Sequence, residues 1–428
     1  MRVAVVEGPT YFESLARAVH ACGHSVVLIR GLPGTIYRGS DPTPSTLGFV
    51  DQTIECDLSS DGALHACIKK GSDSLGIDAL IGIHELVVER VARVASILGF
   101  SFCQPEGLAK ARDKFGMRET LFKTGASRIR SLKVTDLASL QTAVRQIGWP
   151  CVLKPIRGSA SLSVMILQEP ESVQSIWKRL AESFESWPRG IESILSREFV
   201  LEPYLRGQLV SLEAIRTQNI TRLLSVSWRF RAHHDETIEI GTLMPAPCND
   251  AVMKKLERFT ERVVEAANLD RGIFHIEAIL TEHGPELVEL NPRLMGGSLP
   301  LLFERSFGIN VFDALVPIYL SATPFDQPVE NKGYSLSCFF GAIENGIMPA
   351  KVNTDFLENY RPLAPEMKFL VAPRGAYRKL DSNYSYLGRF LLTDKTVDNL
   401  FKARDEILAL LEKSLGFSIT KPEKGYGL

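Results

Sequence analysis

The stretch from Gly272 to Ser298, GIFHIEAILTEHGPELVELNPRLMGGS, constrains this chain more than any other. GIFHIEAIL and ELVEL are rich in β-formers. Glu282-His283-Gly284 between them has a glycine where a three-residue hairpin loop needs a left-handed residue. Closing the hairpin on that loop sets Glu277 opposite Glu289. Strand side chains alternate faces, so His275, Glu277, Glu289 and Asn291 are expected on one face. Phe274, Ile276, Val288 and Leu290 are expected on the other, as core.

Two carboxylates opposed on one sheet face lie about 5 Å apart and repel. Either the hairpin is solvated, or something cationic sits between them. Magnesium suits the place, because it binds through one or two carboxylates plus substrate phosphates. A metal pair about 3.5–4 Å apart would fit the same spacing. Asn291-Pro292-Arg293 and Gly296-Gly297 come directly after. A carboxamide oxygen can join a metal shell, and an arginine fork suits a phosphoryl oxygen.

At 428 residues the chain is long for one domain, and 45% apolar content with a net charge of −1 describes a soluble globular protein. That charge gives no electrostatic footprint for nucleic acid or an anionic membrane surface. No apolar run reaches the ~18 residues of a membrane span. Met1 leads at once into the strand-like VAVVE, with no signal-peptide pattern. The 7 cysteines are scattered singly, without a C-x-x-C pair, as expected for free thiols in a cytoplasmic protein.

Residues 1 to about 105 alternate strand and helix, which predicts a parallel open sheet covered by helices. The first turn, Glu7-Gly8-Pro9-Thr10, lacks G-x-G-x-x-G, arguing against dinucleotide binding. Glu85 follows a strand and opens a helix predicted to run to Leu98. It reads either as an acid in the N-cap region or as a contact for a substrate ammonium. A helix is expected from Gly107 to Gly125, carrying Lys114. A strand ending in Lys154-Pro155 then meets a small-residue loop, Arg157-Gly158-Ser159-Ala160-Ser161, whose backbone could approach an anion closely. His233-His234 reads as a polar loop, and MKKLERFTERVVEAANL as an amphipathic helix. His275 reads either as substrate-facing or as structural, bonded to a strand neighbour. Pro324 to Gly333 is a candidate linker. Beyond it, strands near YSLSCFFGAI, FLVAP and GRFLLT and a final helix predict a small α+β unit.

These strings resemble the ATP-grasp superfamily. E-L-N-P-R-x-x-G-G, with the Glu of H-I-E before it, is similar to the magnesium motif of its ligases. G-W-P-C-V-L-K-P and the loop after it are similar to the lid, and A-R-D-K to the segment whose lysine meets phosphate. The resemblance implies a Rossmann-like N-terminal domain (1–106), an ATP-grasp domain (107–325, lid about 126–198) and an α+β C-terminal domain (326–428). The fold class is thus mixed α/β and α+β. It implies ATP, with magnesium or alternatively manganese held by Glu277, Glu289 and Asn291. Lys114 and Lys154 would meet phosphates, Ser159 and Ser161 would belong to the covering loop, and Glu202, Pro203, Tyr204 and Leu205 would thread adenine. Glu213 would line the site, and Arg293, Lys154 and Glu289 would be catalytic. Glu85, His275, Arg293, Gly296 and Gly297 would face substrate.

Two departures stand out: Ala160 and Ser163 replace loop glycines, and Leu209 replaces the acid expected on ribose hydroxyls. The C-terminal module and the G-T-L-M-P-A-P string are most similar to the L-amino-acid ligases, which form dipeptides. The resemblance therefore implies an amide-forming ligase that joins a small-molecule carboxylate to an amine, in an assembly that is usually a homodimer. Ligases for other carboxylates (natural-product or purine-type) and a catalytically decayed nucleotide-binding protein stay open.

Overall fold

The computed structural model of the chain describes residues 1–8, 10–39, 41, 48–187, 195–320 and 328–422. Pro9, residues 188–194 of the expected lid and residues 324–327 of the expected linker therefore lie outside the described residues.

Alternating buried strands and helices build the N-terminal part. In chain order they are β1 (Arg2–Val6), α1 (Phe12–Ala21), β2 (Ser25–Gly31), β3 (Gln52–Cys56), α2 (Asp61–Leu75), β4 (Ala79–Ile81) and α3 (Val88–Leu98). The strands pair in parallel in the order β3-β2-β1-β4. A parallel sheet needs both faces covered, and Val3, Ala4 and Val5 are fully buried. The third helix starts at Val88, three residues after Glu85, so Glu85 is not its cap.

The helix expected over 107–125 is two helices, α4 (Pro105–Ala111) and α5 (Lys114–Lys123). Asp113 causes the break. Its carboxylate caps α5 by accepting the Gly116 N–H, and the Lys114 N–H goes to the carbonyl of Ile156.

The segment expected as the lid, with the strand that follows it, comprises β5 (Leu132–Val134), α6 (Leu137–Ile147), β6 (Cys151–Pro155), β7 (Met165–Leu167), α7 (Val173–Ser183) and β8 (Phe199–Pro203). Its strands form an antiparallel sheet in the order β5-β8-β6-β7 over a core of its own that includes Leu140, Leu153, Ile176 and Phe199.

The central part continues as β9 (Gln208–Thr217), β10 (Ile220–Ala232), β11 (Asp235–Met244), α8 (Asp250–Ala266), β12 (Gly272–Thr281), β13 (Gly284–Asn291), α9 (Leu299–Phe307) and α10 (Val311–Leu320). After it come β14 (Tyr334–Phe340), β15 (Gly346–Ile347), β16 (Glu366–Phe369), β17 (Ala376–Tyr377), β18 (Gly388–Asp394) and α11 (Val397–Leu415). One antiparallel sheet runs through both in the order β13-β12-β9-β10-β11-β14-β18-β16. The last three strands thus extend the central sheet, while α11 covers a separate core with Leu400, Ile407 and Leu411. The strand expected at FLVAP ends at Phe369. Arg374 (φ 61) and Gly375 turn the chain back onto Met348, whose N–H and C=O they bond.

The hairpin of β12 and β13 closes more tightly than expected. Thr281 pairs with Gly284, so the loop is the two residues Glu282-His283. A β-bulge then leaves Val288 unpaired between the Glu277–Glu289 and Ala278–Leu287 pairs. The bulge supplies the offset that a longer loop would have given, and Glu277 meets Glu289 and His275 meets Asn291 as the sequence implies. Val288, expected in the core, turns to the central cavity instead, and Leu287 takes the core position.

Behind this sheet, Leu256, Phe259, Val263 and Val264 of α8 are fully buried. Phe259→Ala is expected to cost about 3–5 kcal/mol in urea unfolding, through lost transfer energy and a cavity. A loss below about 1 kcal/mol would show that α8 does not anchor the sheet.

Candidate functional site

A cavity of about 530 Å³ opens between the lid sheet and the central sheet. Lys114, Lys154, Ser159, Ser161, Glu202, Pro203, Tyr204, Leu205, His275, Glu277, Glu289, Arg293, Gly296 and Gly297 all line it. Residues from five separate stretches of sequence therefore converge, because α5, the lid segment and the β12–β13 hairpin all border this one cavity.

Three of the expected residues are placed differently. Asn291 and Glu85 line a small adjoining pocket that also touches Lys114 and Glu289. Glu213 does not line the cavity. It is fully buried on β9 opposite His275, and reaches the site only through a 2.8 Å contact from its Oε1 to His275 Nδ1. Strand pairing places Glu213 behind the imidazole, so its reading as a cavity-lining acid is corrected.

The electrostatics derive from one carboxylate shared by two cations. Arg118, 1% exposed, grips Glu202 with both fork nitrogens (2.7 and 3.2 Å), and Lys154 Nζ also pairs with Glu202. Lys154 donates as well to the Val288 carbonyl at 3.1 Å, which the bulge turns toward it. Burial, reinforced by Arg118 and Lys114 and only partly offset by Glu202, lowers the Lys154 pKa to about 8. Burial alone would raise Glu202, but Arg118 and then Lys154 outweigh it and bring it to about 2. The two partners shift in ways that weaken one charge and strengthen the other. The consistent reading is a site short of negative charge, since Lys114, Arg118 and Lys154 face Glu202 and Glu289. Such a site attracts an anion.

On the hairpin, Glu289 bonds Lys114 Nζ at 2.8 Å and the Asn291 amide at 2.8 Å. Its own burial opposes ionisation, yet Lys114 and Asn291 hold its pKa near 2. Glu277 accepts from His275 Nε2 at 3.1 Å. Glu277 and Glu289 are thus two ionisable hard-oxygen donors facing one cavity. Among the described residues no group of three or more His, Cys, Asp or Glu gathers to hold a metal. The donor set fits a hard cation such as magnesium that completes its shell with substrate oxygens, and does not fit a closed all-protein site.

Arg293 is aimed by Glu85, which it contacts through Nε (2.9 Å) and Nη2 (2.8 Å), and its Nη1 donates to the Leu294 carbonyl. Arg112 approaches the second oxygen of Glu85 at 3.5 Å. Of the two readings of Glu85, the structure shows neither a helix cap nor a free acceptor: its carboxylate orients an arginine.

Sequence reasoning missed Arg118, which looks like an ordinary helical arginine. It also missed the wall built by Arg229, Arg231, Glu236 and Glu239 of the β10–β11 hairpin, and by Phe339, Asn383 and Tyr386 from beyond the expected linker. Asn383 reaches back to the lid, 3.5 Å from Ser161 Oγ. The pairing of β11 with β14 brings in Phe339, while the Glu239 N–H donating to Asn383 and the Tyr386 hydroxyl donating to the Glu239 carbonyl hold the other two.

The comparisons with known proteins agree with this layout. A family model described as an ATP-grasp domain matches residues 147–300. Alanine–anticapsin ligase of Bacillus subtilis (strain 168) is 23% identical over 340 residues, covering 76% of this chain and 66% of that protein. This chain thus spans about two thirds of the length of that relative. The solved L-amino acid ligase from Bacillus licheniformis superposes with a TM-score of 0.74 at 15% identity, covering 95% of this chain and 96% of that one. A carboxyaminoimidazole ribonucleotide synthase from Aspergillus clavatus, solved with ATP, has a TM-score of 0.68 at 17% identity over 96% of this chain and 98% of that one. No helix among the described residues is long and apolar enough to cross a membrane.

The Arg118–Glu202–Lys154 group yields a prediction. Glu202→Gln leaves two buried cations uncompensated and is expected to cost about 3–5 kcal/mol at pH 7, read by urea unfolding. Because the folded pKa of Glu202 lies below its unfolded value of 4.5, its contribution is present above about pH 4.5 and is lost as pH falls through about 2. A variant as stable as the wild type at pH 7 would contradict this.

Proposed function

We propose that this chain, a member of the ATP-grasp superfamily, is an ATP-dependent ligase that joins the carboxylate of one amino-acid-type substrate to the amine of another. The reaction runs in two steps. A carboxylate oxygen attacks the γ-phosphorus of ATP, the bond to the β,γ-bridging oxygen breaks, and ADP leaves an acyl phosphate behind. The amine nitrogen then attacks the acyl carbon, phosphate departs, and the amine gives up a proton as the amide forms.

The observation that carries this reading is the convergence of Glu277 and Glu289 with Lys114, Lys154 and Arg293 on one cavity. Phosphoryl transfer is mostly positioning and charge neutralisation. Lys154 and Lys114 bind phosphate oxygens, drawn by the cation excess around Glu202. Glu277, Glu289 and Asn291 would hold magnesium, or manganese by the same oxygen donors, and the ion would supply charge neutralisation for the phosphates. Lys114, paired with Glu289 here, would let that carboxylate go on meeting phosphate.

Arg293, oriented by Glu85, stabilises charge on the transferred phosphoryl group and on the tetrahedral oxyanion formed next. The loop with Ser159 and Ser161 excludes water, since an acyl phosphate hydrolyses. The base lies along the segment Glu202 to Leu205, whose tyrosine is fixed to the central sheet. Gly296 and Gly297 leave room beside Arg293 for the amino-acid substrate.

The test is a screen of amino-acid pairs for substrate-dependent ADP and phosphate release, with mass analysis of positive wells. A product mass equal to two amino acids less water is expected, and no release across the panel would overturn the amino-acid assignment. With a substrate pair in hand, Arg293→Ala is expected to lower kcat by about 10²–10³-fold. Glu289→Gln is expected to abolish turnover while the protein stays folded. Turnover at wild-type rate in Glu289→Gln would remove the metal-site reading.

Nucleotide affinity should also fall as pH rises through about 8, as Lys154 loses the proton that attracts phosphate. Calorimetric titration of ADP from pH 7 to 9 reads this, and Lys154→Met should flatten the profile. An unchanged profile in that variant would assign the titration elsewhere.

A further inference from the structure

The part of the cavity next to the β8–β9 link has an aliphatic floor. Leu205, Leu209 and Ile279 line it, with Leu209 paired to Ile279 across β9 and β12. Aliphatic side chains accept no hydrogen bond, whereas the two vicinal hydroxyls of a ribose are donors that need acceptors once removed from water. The neighbouring wall carries three carboxylates. Glu202 has both oxygens engaged by Arg118 and Lys154. Glu239 is ion-paired to Arg229, which also donates to Ser211, and its neighbouring charges are Glu277 and His275.

Glu236, at the start of β11, is different. The Tyr204 hydroxyl donates to its Oε2 at 2.5 Å, and Arg231 Nη1 reaches the same oxygen at 2.8 Å. Its Oε1 has no donor among the described residues, and the side chain lines the cavity with 24% of its surface exposed. A carboxylate anchored through one oxygen to the segment that would hold the base, with the other oxygen open to the cavity, is built to accept a hydroxyl.

We propose that Glu236 is the ribose acceptor of this chain, taking through Oε1 a hydrogen bond from one of the vicinal sugar hydroxyls of an adenine nucleotide. It does the work that an acidic residue at position 209 would otherwise do, but from β11 instead of β9 of the same sheet. Tyr204 and Arg231 are positioning residues that fix its other oxygen. This inference rests on the ATP-using reading of the cavity.

The experiment is calorimetric binding of ADP, 2′-deoxyADP and 3′-deoxyADP, with magnesium, to the full chain and to its Glu236→Gln and Glu236→Ala variants. Thermal melting checks that each variant is folded. In wild type one deoxy analogue should bind about 10–100-fold more weakly than ADP, the range for a hydrogen bond to a charged acceptor. In Glu236→Ala, ADP should fall to the level of that analogue, whose own affinity stays unchanged. Glu236→Gln, which keeps an acceptor oxygen without the charge, should fall between.

The proposal is overturned if wild type binds ADP and both analogues alike. It is also overturned if Glu236 variants keep the wild-type preference, or if Glu239→Gln erases it and Glu236→Gln does not. A wild-type chain that binds no adenine nucleotide would overturn the ATP-using reading itself. The two failures are therefore distinguishable.

Discussion

Two carboxylates brought face to face on a hairpin cannot be left alone. Glu277 and Glu289 sit opposite each other on β12 and β13, and their repulsion has to be met by positive charge. Around them the structure supplies Lys114 on Glu289 and His275 on Glu277. Behind His275 stands Glu213, so that the two flanking acids, outweighing the cost of burial, raise the imidazole pKa to about 9. Lys114 is where it is because Asp113 breaks one helix and starts another at that residue. The hairpin dictates what the neighbouring elements must carry.

The same logic extends across the cavity. Arg118 and Lys154 crowd one carboxylate, and the bulge at Val288 turns a carbonyl toward Lys154. Carboxylates on the hairpin and crowded cations around Glu202 are what the proposed metal–triphosphate complex needs, since its cation and its phosphates take opposite partners. Arg293, held by Glu85, lines the same cavity, and so do Phe339 of β14 and Asn383 and Tyr386 from the segment before β18. The cavity is therefore shaped in part by residues late in the chain.

Much of this was legible in the sequence where local pattern and chemistry coincide. The alternation in GIFHIEAIL and ELVEL, with acids on the alternate positions, yields the face that carries Glu277 and Glu289. Lys154 before a proline and a small-residue loop is similarly local. The illegible part depends on long-range pairing or on subtle backbone geometry. The hairpin register came out as expected although its loop is shorter, since the bulge compensates for the turn. Arg118 and Glu236 have no local signature, because their meaning comes from partners 84 and 32 residues away. The lid loop differs again. Replacing glycine by Ala160 and Ser163 suggests a stiffer loop, yet Ala160, Ser161 and Ser163 hold left-handed φ values of 53, 57 and 56. The backbone keeps a glycine-like path with ordinary side chains, at a cost of roughly 1–2 kcal/mol per residue.

The claim on which the account turns is that the cavity activates a carboxylate by moving a phosphoryl group onto it. The most direct measurement supplies the chain with ATP and amino acids labelled with ¹⁸O in their carboxylates, and weighs the phosphate released. Acyl-phosphate chemistry transfers one carboxylate oxygen to each phosphate, so labelled phosphate should appear in step with product. Product formed alongside wholly unlabelled phosphate would contradict the account.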